Sequence, residues 1–135
     1  MPHPIMFSDD DPLLARVRTV ALGFPEAFEK VSHGRPSFFV TKMFLMYGGS
    51  VKPRTKGADY VPYPQSIMVK VDESDRRALE QDGRFFYPAY LGPSGWLGLD
   101  LAATKKVDWS EVTELIDASY RLVAPKKLIA RLNEA

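Results

Sequence analysis

Between residues 32 and 47 the chain reads SHGRPSFFVTKMFLMY, and this stretch constrains the fold more than any other. A polar, basic turn, Ser32-His33-Gly34-Arg35-Pro36, leads into two runs of aromatic and bulky apolar residues at 36–40 and 42–47. Such residues suit a pleated, half-buried surface, so the runs predict a β-hairpin folded back at Thr41-Lys42. On the second arm Phe44 and Met46 alternate with Met43, Leu45 and Tyr47, which makes both faces largely apolar. One side of the hairpin therefore needs a helical cover and the other at least a partial shield. The outer face is where function is expected.

The rest of the chain supplies that cover. Asp9, Asp10 and Asp11 offer capping oxygens and negative charge to the positive end of a first helix, and Pro12 suits its first position. Leu13, Leu14, Val17, Val20 and Ala21 recur at helical spacing until Gly23 and Pro25 stop the run, with Arg16 and Arg18 left to solvent. A short strand is expected at 30–32. Residues 48–64, GGSVKPRTKGADYVPYP, hold three glycines, three prolines and three basic residues, and read as a 17-residue connection that is either functional or mobile. The run 66–71 (SIMVKV) is a strand with Ile67, Val69 and Val71 on one face. Asp72 caps a short helix ended by Gly83, with Ala78 and Leu79 inward. Residues 84–91 (RFFYPAYL) read as an aromatic strand or loop that Pro88 interrupts, which points to a sheet edge. Gly92-Pro93-Ser94-Gly95 turns the chain into a last strand at 96–101. Asp108 and Glu111 have the spacing of a capping box ahead of the stripe Trp109, Val112, Leu115, Ile116, Tyr120 and Val123. Pro125 restarts a terminal helix with Leu128, Ile129 and Leu132 inward. This order predicts an α+β fold, an antiparallel sheet covered on one face by helices.

At 135 residues and 45% apolar content, the whole of 1–135 fits one domain able to bury a sizeable core. No apolar run approaches the roughly 18–20 residues of a membrane span. The start, MPHPIMFSDDD, has neither a basic nor an apolar leader region, so a cytoplasmic location away from membranes is expected. With no cysteine, disulfides, thiolate metal sites and cysteine nucleophiles are excluded, and two histidines, His3 and His33, are too few for a histidine metal centre. No metal or cofactor is expected. Net charge is +1, but residues 29–70 carry seven Lys/Arg against Glu29 and Asp59, a local balance of +5 that leaves −4 elsewhere. Such asymmetry builds a positive face on a nearly neutral molecule.

Several landmarks stand in order along the chain: Leu22-Gly23-Phe24-Pro25-Glu26, then Ser32-His33-Gly34-Arg35-Pro36-Ser37-Phe38, then Lys42-Met43-Phe44. They continue with Val69-Lys70-Val71-Asp72, Gly95-Trp96-Leu97-Gly98-Leu99-Asp100, and the run from Glu114 through Ser119 and Tyr120 to Val123. Over nearly its whole length the chain thereby resembles the MmcQ/YjbR family of small bacterial proteins. The resemblance implies a CyaY-like α+β fold and, by analogy of fold, DNA binding through a double-wing motif of strands and their loops. Some relatives carry a formyltransferase name, which nothing in these residues supports. Two features depart from the family pattern. The hairpin turn at Thr41-Lys42 lacks the glycine common in relatives, and the 48–64 segment is long, basic and proline-rich.

For DNA, Arg35 would meet a phosphate or a guanine edge and His33 a phosphate; otherwise His33 bonds backbone at the turn and Arg35 pairs with a nearby carboxylate. Lys42, Lys52, Arg54, Lys56 and Lys70 complete a set of phosphate contacts, or are simply solvated. Tyr87, Tyr90 and Trp96 form either a stacking surface or part of the core. The acids Asp72, Glu73, Asp75 and Glu80 share one short solvent-facing helix, and no carboxylate pair stands in an apolar setting as a tuned acid and base would. No catalytic residue is assigned, and a non-enzymatic protein is expected. The leading reading is weak, non-specific DNA binding. The alternative is a module that uses the aromatic sheet face to hold a small molecule or a protein.

Overall fold

The computed structural model describes residues 4–103 and 105–134, and His3 lies outside them. In chain order come α1 (Pro12–Leu22), β1 (Phe28–Ser32), β2 (Arg35–Val40), β3 (Lys42–Val51), β4 (Val61–Lys70), α2 (Glu73–Gln81), β5 (Phe85–Phe86), β6 (Trp96–Asp100), α3 (Trp109–Val123) and α4 (Lys126–Glu134). The strands form one six-stranded sheet in the order β1-β2-β3-β4-β6-β5, with every neighbouring pair antiparallel. The α+β architecture is as the sequence predicts. No helix among the described residues is long and apolar enough to cross a membrane.

Aspartates start α1, α2 and α3. Asp11 accepts from the Leu13 N–H at 2.9 Å, Asp72 from Ser74, and Asp108 from both Ser110 and Glu111. Glu111 does not reach back to close a capping box. Its carboxylate instead holds the Arg84 guanidinium with two bonds of 2.8 and 2.9 Å, because β5 brings Arg84 alongside. Arg18 is likewise not a solvated residue: it bridges Asp9 and Glu29 at 2.9 Å each. In α2 nothing is fully buried, Ala78 being exposed and Leu79 only half-buried. The segment has too few apolar residues for an inward stripe.

The main core lies between the sheet and α1, α3 and α4. Leu14, Val17 and Ala21 from α1, Val112, Ile116 and Tyr120 from α3 and Leu128 from α4 pack onto Phe38, Leu45, Tyr47, Ile67, Val69 and Leu99. Tyr120 sits at its centre, fully buried, with the Phe24 ring at 4.9 Å and the Phe44 ring edge-on at 5.3 Å. Its hydroxyl donates to the Pro25 carbonyl at 2.7 Å, so the polar end of the ring is satisfied.

Phe44 reaches that core through a β-bulge. Phe38 faces Leu45 but Phe39 faces Met43, which leaves Phe44 as an extra residue in β3. Such an insertion re-aims a side chain. Phe44, Leu45 and Tyr47 all join the helix-side core, while Met43 and Met46 turn to the opposite face. The simple alternation expected along this arm is therefore broken at the bulge. The ladder between β3 and β4 accordingly stops at Leu45–Val69, one residue short of Phe44 and Lys70. Ser119, fully buried on α3, spans the gap: its hydroxyl donates to the Phe44 carbonyl at 2.6 Å and accepts from the Lys70 N–H at 3.0 Å.

The second face carries a smaller cluster of Met46, Met68 and Trp96, with Met43, Phe86 and Leu91 against it. Phe86 lies flat on Gly98, where a Cβ would stand 2.1 Å from the ring, and stacks on Tyr63 with centroids 4.4 Å apart. The chain after β5 then folds over this face, where Ala89 donates its N–H to the Ser50 carbonyl at 2.8 Å.

The segment at 48–64 is shorter as a connection than expected. β3 continues to Val51 and β4 begins at Val61, leaving only residues 52–60 between them. Pro62 and Pro64 are tolerated in β4 because β6 pairs only with Ser66–Lys70, so the first half of β4 has a free edge.

Tyr47 joins sheet to helix, its hydroxyl donating to Asp11 at 2.6 Å. Burial, and then the adjacent carboxylate, push the phenol well above its ordinary value of 10.0. A group whose folded pKa is raised adds stability that is fully present below its unfolded pKa and lost as pH rises beyond it. Denaturant midpoints measured from pH 8 to 11 are expected to fall from about pH 10 upward, and to fall less steeply in Tyr47→Phe. An equally steep fall in the variant would assign the alkaline loss to other groups.

Candidate nucleic-acid interface

Successive connections of an antiparallel meander leave the sheet at alternate ends. The β1–β2 turn at His33-Gly34 and the β3–β4 connection at 52–60 therefore emerge at one end, while Thr41, Lys42 and Lys70 lie at the other. His33, Arg35, Lys52, Arg54 and Lys56 are brought to a common end. Lys42 and Lys70 are not part of that group. Lys42 is exposed beside the Thr41 turn, and Lys70 is half-buried opposite Trp96.

The local conformations follow from residue type. His33 and Gly34 both have positive φ, 54° and 80°, as a two-residue hairpin turn twisted to match its strands requires. Histidine tolerates this region better than most side chains. Behind the turn the Met6 N–H donates to the Gly34 carbonyl at 2.8 Å, and a Cβ on Gly34 would stand 2.1 Å from the Pro4 carbonyl oxygen, so the N-terminal segment braces the turn. At the far end of the sheet Thr41, at φ 56°, takes the conformation that a glycine would adopt more cheaply.

Arg35 begins β2, and its side chain passes Gly48, where an added Cβ would meet the Arg35 Cδ at 3.4 Å. The residue is half-buried, and burial alone lowers its guanidinium below the ordinary arginine value. No carboxylate forms an ion pair with Arg35 among the described residues, which overturns the expectation of a structural pair. By contrast Arg18, Arg76, Arg84, Arg121 and Arg131 each sit beside an acid. Lys52, Arg54 and Lys56 are exposed and, among the described residues, likewise form no ion pair. This end of the sheet therefore carries cations whose charge no neighbouring carboxylate neutralises within 4.0 Å.

The three aromatic candidates do not make one surface. Trp96 is only 6% exposed, enclosed with Met46 and Met68. Tyr87 packs its ring over Gly92, where a Cβ would come within 2.4 Å of it. Tyr90 is the most open of the three, at 82% exposure against 48% for Tyr87. Its partner is a residue that sequence reasoning passed over. Tyr60, at the end of the 52–60 connection, stacks on Tyr90 with centroids 5.9 Å apart and planes 8° from parallel. The two hydroxyls lie 3.5 Å apart, and this contact raises the Tyr90 phenol while nearby Lys52 draws it the other way. Tyr90 also holds a positive φ of 67°. For a bulky side chain that conformation costs about 1–2 kcal/mol, which an exposed ring recovers little of through burial. The tandem Tyr60-Val61-Pro62-Tyr63 was a visible signal, but strand-to-strand pairing was needed to show that Tyr60 faces Tyr90.

Comparison with curated proteins gives no match. The YjbR family model matches residues 22–122, from the end of α1 through almost all of α3. That span holds the whole sheet, the His33-Gly34 turn and the basic connection, and it covers well over half of the sequence. On this match the chain belongs to the YjbR family.

Proposed function

We propose that this protein binds nucleic acid weakly and without sequence preference, gripping the phosphate backbone at the end of the sheet where Arg35, Lys52, Arg54 and Lys56 gather. The observation that carries this reading is the gathering of these four cations at one end of the sheet, where none of them forms an ion pair among the described residues. A phosphate can supply the negative charge that the fold withholds. Two turns emerging at the same end support a two-winged grip on the backbone, with His33 beside Arg35 as a further contact. The reading assigns no catalytic residue. An interaction module built on Tyr87, Tyr90 and Trp96 has less support, since Trp96 is enclosed.

The test is fluorescence anisotropy of a labelled DNA duplex over a series of salt concentrations. With about four phosphates engaged, the logarithm of affinity should fall linearly with the logarithm of salt, with a slope of about −3 to −4 and micromolar or weaker binding. Substituting Lys42 and Lys70 with glutamine should leave the curve unchanged. No binding at the lowest salt, or binding indifferent to salt, would contradict the proposal.

A further inference from the structure

The Tyr60–Tyr90 pair has no evident structural purpose. Its rings are 41% and 82% exposed, so the contact buries little apolar surface. Yet the fold takes trouble to present it. Tyr90 is held at a positive φ of 67°, and its predecessor Ala89 is tied by its N–H to Ser50, near the end of the strand that leads into the basic connection. Tyr60 closes that same connection, which opens with Lys52 and also carries Arg54 and Lys56. Tyr90 lies close enough to Lys52 for its phenol to respond to the ammonium charge.

A flat aromatic face beside unneutralised cations matches a nucleobase attached to its phosphate. In a duplex the base faces are covered by their neighbours and cannot reach a surface ring. In an unpaired strand they are free to continue a stack. We infer that Tyr60 and Tyr90 form a stacking platform for unpaired bases, and that the nucleic acid this protein holds is single-stranded. The inference rests on the phosphate-binding reading above and adds strand type to it. The exposed Tyr90 face takes the base, Tyr60 backs it, and Lys52, Arg54 and Lys56 hold the adjoining phosphates.

The experiment is anisotropy of a labelled single-stranded DNA of mixed sequence, about 15 nucleotides long, beside the duplex of the same sequence, at one low salt concentration. A single-stranded RNA of that sequence forms a third arm. Single strands, of either sugar, should bind about tenfold more tightly than the duplex, and Tyr90→Ala should remove that advantage while duplex binding stays the same. Tyr90→Phe keeps the ring and should keep the preference. The Phe variant also separates loss of stacking from loss of fold, with circular dichroism of both variants as the check. Salt-dependent binding that is equal for both strand types and unmoved by Tyr90→Ala would overturn the platform and leave the phosphate grip standing. No binding to any probe would overturn both.

Discussion

Replacing Ser119 with alanine is expected to destabilise the fold by about 3 kcal/mol, a large effect for the loss of one oxygen atom. The bulge that sends Phe44 into the core ends the β3–β4 ladder at Leu45–Val69, leaving the Phe44 carbonyl and the Lys70 N–H facing each other unpaired. Ser119 satisfies both, at 2.6 and 3.0 Å, from a fully buried position on α3. Alanine would fit the space but would leave these two backbone groups without the hydroxyl that pairs them, at a fully buried position. Each such orphan costs about 1–3 kcal/mol. Urea denaturation measures the loss. Thr113→Ala on the same helix is the control, because that exposed hydroxyl donates only to the Trp109 carbonyl, and its removal should shift stability by no more than about 0.5 kcal/mol. Equal stabilities for the two variants would mean that the bulge needs no bridge.

Neutralising the basic connection, with Lys52, Arg54 and Lys56 all changed to glutamine, is expected to weaken duplex binding about a hundredfold at low salt. All three side chains are exposed and form no ion pair among the described residues, so the substitution breaks nothing in the fold. Thermal stability should be unchanged or slightly improved, since three like charges on one connection repel. Arg35→Gln is a different case. Its stem packs beside Gly48, so some stability is lost with the charge, and its effect on binding must be corrected for the folded fraction. The connection variant is therefore the cleaner experiment. Affinity within about twofold of wild type would place the phosphate contacts elsewhere on the surface.

Much of the architecture was legible because it rests on local chemistry. The three aspartate caps, the edge position of the segment broken by Pro88, and the apolar stripe of α3 follow from side-chain type and spacing. What escaped depends on partners distant in sequence. A strand apolar on both faces carries no parity signal, so nothing in Met43-Phe44-Leu45-Met46 marks where an extra residue enters. Once Phe44 is turned inward, Ser119 has a purpose, but its bonds to Phe44 and Lys70 span separations of 75 and 49 residues. The prolines and glycines of 48–64 read as a loop, because a proline's tolerance in β4 depends on how far β6 extends. The site shows the same division. The cations of the basic connection could be read directly, whereas grouping them with Arg35 and separating them from Lys42 and Lys70 required the strand order. Tyr60 was overlooked because its meaning lies in Tyr90, thirty residues away across the sheet.

The salt dependence of duplex binding, measured side by side for the wild type and the Lys52, Arg54 and Lys56 glutamine variant, tests the central claim most directly. If these side chains neutralise phosphates, the slope of log affinity against log salt should become shallower by about 3, close to one unit for each cation removed. Two parallel lines of equal slope would contradict the account, because they would show that the connection touches no phosphate.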